Sequence, residues 1–372
     1  MKIAASIQCI VPALAGLALG TSLLAAARAA EPPALLAQSV RVTPVPPWPA
    51  GDELGMANTL GRGTNLRCGW HLSQARARPY ELSHVRSNTM PKSPFSGPYK
   101  QVYKPTSSLP GTVHAFNGEE YEAGAEPSTQ GTQLDALGHF AYLAQPWDGK
   151  PPIPVDQARY YGGYGQRDVK PTPDSPLLKL GIDRVPPLVT SALVLDARAT
   201  LGGGSPLKAG QAIGVDDIQE MLRRQGLKKR GILAGDMVFI YTGWSDGWKD
   251  PDTDKTYYTA APGLSYAAAK VLSDRRIVAL GIDVPFIDPV PEGMLAGKAA
   301  PATGTPPHMP FAVHHQLLTQ AGIHHIENAN LAAAVRDQVW TGCAMVLPLR
   351  TKGAAGSAIR PVLIGVPGQQ PR

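Results

Sequence analysis

A mixed α/β fold is predicted by three features of this 372-residue chain. Short apolar segments of strand length alternate with amphipathic segments of helix length, and polar residues gather where the strands end, which is where α/β folds place their sites. The 39 glycines and 37 prolines indicate many turns and long loops rather than disorder, because apolar segments recur throughout and hydrophobic residues make up 43% of the chain. In order, 192–196 reads as a buried strand, and 216–225 as a helix with Ile218, Met221 and Leu222 on one face. A strand follows over 237–242, then a helix over 265–273 capped by Ser265, then a strand over 277–283. The stretch 314–320 reads as helix and 323–326 as a short strand leading into Glu327; 343–349 and 361–366 are late strands. Gly202-Gly203-Gly204 lacks the spacing of a phosphate loop and opens no helix. No internal repeat is visible.

The N-terminus predicts export. Lys2 precedes an apolar run over 10–27, and Ala27-Arg28-Ala29 matches a signal-peptidase site, so 1–29 reads as a signal peptide and the mature protein as periplasmic or secreted. Cys9 does not sit in a lipidation context, and no membrane association is expected after cleavage. A Pro-rich arm over 30–50, extended on the surface, would lead into one domain over 51–372. Cleavage removes Lys2 and Arg28 and no acid, so the formal charge of +6 becomes 6 − 2 = +4. That balance, without a basic stripe interleaved with aromatics, argues against nucleic-acid binding. The densest basic cluster, Arg223, Arg224 and Lys228-Lys229-Arg230, suits a helix end. Cys68 and Cys343 could pair in an oxidising compartment, but Cys343 lies in an apolar run where a buried free thiol is the commoner outcome.

Chemistry concentrates in two stretches. "STQGTQLDALGHF" (128–140) carries Asp135 and His139 at i, i+4, which one turn of helix would aim at a common point for metal binding or proton transfer. The bland reading is a polar surface turn, with Asp135 capping backbone amides. "HMPFAVHHQLLTQAGIHHIENANL" (308–331) holds five of the nine histidines, His308, His314, His315, His324 and His325, together with Glu327. Neutral imidazole and carboxylate are favoured ligands of Zn and Mn, yet adjacent histidines point in different directions. His324 and His325 are therefore expected at a surface and a packing position. Trp70, Trp147, Tyr160, Tyr161 and Trp244 could line a pocket, although such residues more often pack.

These residues resemble the cyclase family that includes bacterial kynurenine formamidases and isatin hydrolases, whose signature is H-x-G-T-H-x-D-x-x-x-H. Thr129, Gly131, Thr132, Gln133, Asp135 and His139 occupy it here. Further segments follow in the family's order: "GDELGMANTL" (51–60), "GDMVFIYTGW" (235–244), "APGLS" (261–265), "GIDVPFIDP" (281–289), "HHQLLTQAGIHHIEN" (314–328) and "PLRTKGAAGSAIRPVLI" (348–364). The resemblance covers nearly the whole mature chain. It implies a swivelling β/β/α fold, a homo-oligomer (dimer or tetramer) with sites near subunit contacts, and hydrolysis of a small amide, lactam or lactone as substrate.

It also implies residue roles. His139 would be the general acid/base, and Asp135 would bridge metal and water or orient His139. A divalent metal, Mn or Zn, would be held by Gln133, Asp135, His314 and Glu327; Thr129 and Gln133 stand where the family has histidines, which leaves an oxygen-rich set. The family's F-x-V-H register selects His314, whereas counting back from Glu327 selects His315; the former is preferred because one extra loop residue costs little. Other readings on the same scaffold are an exported small-molecule binding protein and a metal-free lyase or isomerase.

Overall fold

The computed structural model describes residues 48–123, 130–150 and 152–368. The expected signal peptide 1–29, the expected arm 30–50 apart from its last three residues, and Thr129 lie outside the described residues. At the described end of that arm, Trp48 is half-buried against the core, with the Arg276 guanidinium 5.1 Å from its ring.

One nine-stranded mixed sheet organises the chain. Its strands are β1 (Arg78–Glu81), β2 (Gln133–Asp135), β3 (Leu188–Asp196), β4 (Met237–Tyr241), β5 (Ala279–Ile282), β6 (His324–Glu327), β7 (Thr341–Val346), β8 (Gly356–Ala358) and β9 (Val362–Gly365). The spatial order is β1-β9-β7-β3-β4-β5-β6-β2-β8. The four central strands β3, β4, β5 and β6 run parallel, and the flanking strands pair antiparallel. Every residue of β4, β5 and β6 is buried, which the nearly continuous apolar sequences of β4 and β5 anticipate for parallel strands covered on both faces, whereas β6 buries two histidines and a glutamate.

Side chains alternate between two cores. On one face Leu193, Leu195, Val238, Ile240, Leu280 and Ile282 meet the helices; on the other Val194, Phe239, Leu134, Ile326 and Leu363 pack together. Helix α2 (Val215–Arg224) contributes Ile218, Met221 and Leu222, as its apolar stripe predicts. Its start carries Asp216 and Asp217, with the Asp217 carboxylate accepting from Gly214 N, and its end carries Arg223 and Arg224, both suited to the helix dipole. Helix α3 (Tyr266–Asp274) begins where the Ser265 hydroxyl accepts from Ala268 N, the predicted serine cap. The predicted strands and helices recur with ends shifted by a few residues.

Helix α1 (Arg62–Leu72) lies over β3 and β7. Cys68 on α1 and Cys343 on β7 form a disulfide with Cα atoms 4.5 Å apart, so the expectation of a free Cys343 thiol is corrected. Sequence could not anticipate it, because the bond joins residues 275 apart whose proximity depends on how α1 docks.

The predicted helix near His314 is a turn of α-helix, Ala312–His314, continuing as a π-helix over His315–Ala321. Its far end is pinned by a glycine contact. Gly55 and Gly322 both have positive φ, Met56 N donates to Gly322 O at 2.7 Å, and a Cβ on Gly55 would lie 2.2 Å from that oxygen. The segment 51–60 thus clamps the helix that carries His314.

Candidate active site

The site is built on the pairing of β2 with β6. His325 lies opposite Asp135, Ile326 opposite Leu134, and Glu327 opposite Gln133. Paired residues share a face, so Leu134 and Ile326 enter one core while Gln133, Asp135, His325 and Glu327 form a two-by-two polar patch on the other. All four side chains are buried. Gln133 Nε2 donates to Glu327 Oε2 at 3.0 Å, and Ile287 N donates to Glu327 Oε1 at 3.3 Å.

Asp135 and His139 do converge, but not on a helix. Asp135 ends β2, the chain turns at Ala136, and His139 closes a 3-10 turn over Leu137–His139. Gly138 permits this tight passage: a Cβ there would sit 3.0 Å from Leu180 O and 2.9 Å from the Leu177 side chain. From the opposite side the helix of 312–321 brings in His314. Asp288 fixes it, accepting from Val313 N at 2.7 Å and from His314 N at 3.2 Å, and bonding His314 Nδ1 at 2.6 Å. His314 Nε2 consequently points toward Glu327, 3.4 Å from Oε1.

Donor atoms of Asp135, His139 and His314 lie within 4.8 Å of one another. His139 and His314 line a cavity of about 310 Å³ whose walls include Phe95, Phe140, Tyr258, Phe286 and Phe311, with Gln133 and Glu327 among its polar groups, and Asp135 is buried behind them. A chamber of this size accepts a small molecule, and its walls favour a flat apolar one.

Electrostatics at the site suit a cation. Burial pushes the Asp135 carboxyl up to about 6, opposed by His139. Burial also works against charge on His314, but the Asp288 and Glu327 carboxylates outweigh it and hold the imidazole at about 10. A strong preference for positive charge between His314 and Glu327 is what a divalent-ion site offers when a proton stands there instead. His139 is lowered, mainly by burial and also by His314, with Asp135 acting against the shift. Both carboxylate oxygens of Asp135, 0% exposed, have no hydrogen-bond partner among the described residues. Such orphans are rare in native structures, and they make the donor set suitable for a divalent metal.

The structure brings together Gln133, Asp135, His139, His314 and Glu327. His314 rather than His315 reaches the site, since His315 stands edge-on to Tyr142, ring centroids 5.1 Å apart. Of His324 and His325 one is expected at the surface, and that half of the expectation is corrected: both are buried. His324 Nδ1 bonds the Asp135 backbone carbonyl at 3.0 Å, and the His325 ring stands edge-on to His314, centroids 4.9 Å apart. The aromatic residues named from sequence do not line this cavity; Tyr161, for instance, is a core residue whose hydroxyl donates to Asp52. The actual lining was missed because Phe95, Phe286 and Phe311 sit on loops far apart in sequence. Asp288 carried a readable signal, an acid closing the quoted "GIDVPFIDP" segment.

The sequence profile of the Cyclase family matches residues 80–289, more than half of the chain and inclusive of the Asp135 and His139 turn. The chain belongs to the Cyclase family. This cyclase-family protein is similar in structure to a crystallised cyclase at 19% identity and a TM-score of 0.65, with 85% of this chain and 95% of that one covered. It is similar to isatin hydrolase A from Ralstonia solanacearum at 20% identity and a TM-score of 0.50, covering 80% and 95%. A third likeness is to an isatin hydrolase bound to the product analogue thioisatinate, at 18% identity and a TM-score of 0.51, covering 80% and 96%. At these identities the likeness is one of fold, the mixed sheet with flanking helices. No curated protein sequence matches the chain.

Proposed function

We propose that this protein hydrolyses a small amide, lactam or lactone, with His139 as general acid/base. The observation that carries this reading is the convergence of Asp135, His139 and His314 within 4.8 Å beside an aromatic-walled cavity. A neutral imidazole is the form a general base needs, and burial, together with His314, shifts His139 toward that form. Beside it, the Asp135 charge opposes full loss of the ring's basicity. His139 takes the proton of the attacking water and returns it to the leaving nitrogen or oxygen. Asp135, His314 and Glu327 would hold a divalent ion, and such an ion would supply polarisation of the scissile carbonyl. Phe95, Phe286 and Phe311 hold a planar substrate and exclude bulk water from the reacting carbonyl.

Substrates with a flat ring fused to or bearing the scissile bond are favoured by these walls, and the structural likeness to isatin hydrolases agrees with that class. Export is part of the same reading: the Cys68–Cys343 disulfide suits an oxidising compartment, as the signal-like N-terminus requires. The test is a hydrolysis screen of aryl amides, lactams and lactones, with metal analysis of the purified protein. Turnover of a flat cyclic substrate that stops on chelation is the expected result; stoichiometric binding of such compounds without turnover at any metal load would replace the hydrolase by a binding protein.

A further inference from the structure

Four histidines crowd around Asp135, and His325 has no task in the scheme above. It is 0% exposed, and neither ring nitrogen has a hydrogen-bond partner among the described residues. Leaving such a group unmet costs roughly 1–3 kcal/mol, so an idle imidazole here is not the expected packing solution. Leu or Ile would fill the place without that cost.

Geometry gives the ring a task. His325 is the direct cross-strand partner of Asp135, whose two oxygens are also unmet, and the side chains share the face that carries Gln133 and Glu327. Directly opposed residues have Cβ atoms roughly 4.5–5.5 Å apart, close enough for an imidazole and a carboxylate to meet on one ion. The ring already stands against His314, which is oriented by Asp288. It is not among the three residues, Asp135, His139 and His314, whose donor atoms lie within 4.8 Å of one another, so its ring has to turn a nitrogen toward them.

The nitrogen is needed because β2 does not supply it. Gln133, on the face where a ligand nitrogen would have to sit, donates its amide to Glu327. Resting on the reading of the site as a divalent-metal centre, we infer that His325 is a metal ligand, moving a nitrogen donor from position 133 on β2 across the ladder to β6. The site then has nitrogen from His314 and His325 and oxygen from Asp135 and Glu327, a mixed set that accepts Zn as well as Mn.

The test uses the purified protein, stripped by chelator and reloaded with Zn or with Mn. Calorimetric titration and X-ray absorption of the Zn form are compared for wild type, His325→Leu, His325→Gln and the control His315→Gln, all checked for fold by near-UV circular dichroism. Zn affinity should fall at least roughly 10-fold in His325→Leu, the lower end of what loss of a mere supporting partner costs. The absorption spectrum should lose one imidazole, and His315→Gln should bind as wild type does. Gln133→His added to His325→Leu should recover affinity by returning the nitrogen to β2. Unchanged affinity and imidazole count in a folded His325 variant would overturn the inference and leave the metal centre standing. A wild-type spectrum with a single imidazole would overturn it without any variant. Failure of wild type to bind either ion would remove the metal centre itself.

Discussion

Two buried aspartates, Asp236 just before β4 and Asp135 closing β2, are both 0% exposed, yet their surroundings are opposite. Asp236 is saturated. Its carboxylate pairs with Arg230, accepts from Ser191 Oγ at 2.5 Å and from Leu233 N at 2.8 Å, and has the Arg67 guanidinium 3.6 Å away. Arg67 in turn donates to Ser191 and to Ala234 O, each at 2.8 Å. Asp135 has His139 and His314 close by and no hydrogen bond to either oxygen among the described residues. A closed network needs nothing further and ties α1 and the strands together. An open one is held ready for a partner that is not part of the chain, which separates scaffold from site without reference to any relative.

The comparison can be broken at each side. On the open side, His139→Ala should reduce turnover of any identified substrate on the order of 100-fold to 10,000-fold while leaving the melting temperature nearly unchanged. Steady-state rates and a melting curve on the same sample check this; activity within a few fold of wild type removes His139 from the chemistry. On the closed side, Asp236→Ala removes the carboxylate that neutralises the buried Arg67 and the half-buried Arg230 and should destabilise by about 3–5 kcal/mol. The matching change at the open site, Asp135→Asn, should cost less than about 1 kcal/mol in the chelated protein, because no bonded partner is lost. Urea unfolding of the two variants measures both, and equal losses would erase the distinction.

A smaller effect sharpens the closed side. His71 lies near Arg230 and Asp236, and burial, aided by Arg230, lowers it to about 4. Between its unfolded value near 6.5 and 4 the unfolded chain binds a proton that the folded chain refuses. Stability from this residue is therefore complete above about pH 6.5 and declines as pH falls toward 4, by up to about 3 kcal/mol. Comparing wild type with His71→Gln across this range isolates the effect from other groups. The difference between them should shift toward the variant on acidification, and a pH-independent difference would show that His71 stays neutral in both states.

Much of this architecture was legible because it rests on local periodicity. The continuous apolar runs of β4 and β5, the stripe of α2 and the Ser265 cap are each set within a dozen residues. The turn carrying Asp135 and His139 and the choice of His314 were equally local, being matters of motif spacing. What could not be read depended on register between distant segments. Placing His325 across from Asp135 requires knowing that β6 pairs antiparallel with β2, 189 residues away at the His324–Asp135 bond. The aromatic cavity and the Cys68–Cys343 bridge fail for the same reason, and a helix was expected for 135–139 because i, i+4 spacing is shared by helices and by this strand-to-turn passage.

The central claim is that the unmet face around Asp135 is a divalent-ion site, and thermal unfolding of the chelated protein with and without added Zn or Mn tests it most directly. Ion at about 100 times its dissociation constant should stabilise the wild type by about 2.7 kcal/mol, seen as a concentration-dependent rise in melting temperature. The rise should be absent in Asp135→Asn. A wild-type melting temperature indifferent to both ions at millimolar concentration would contradict the claim.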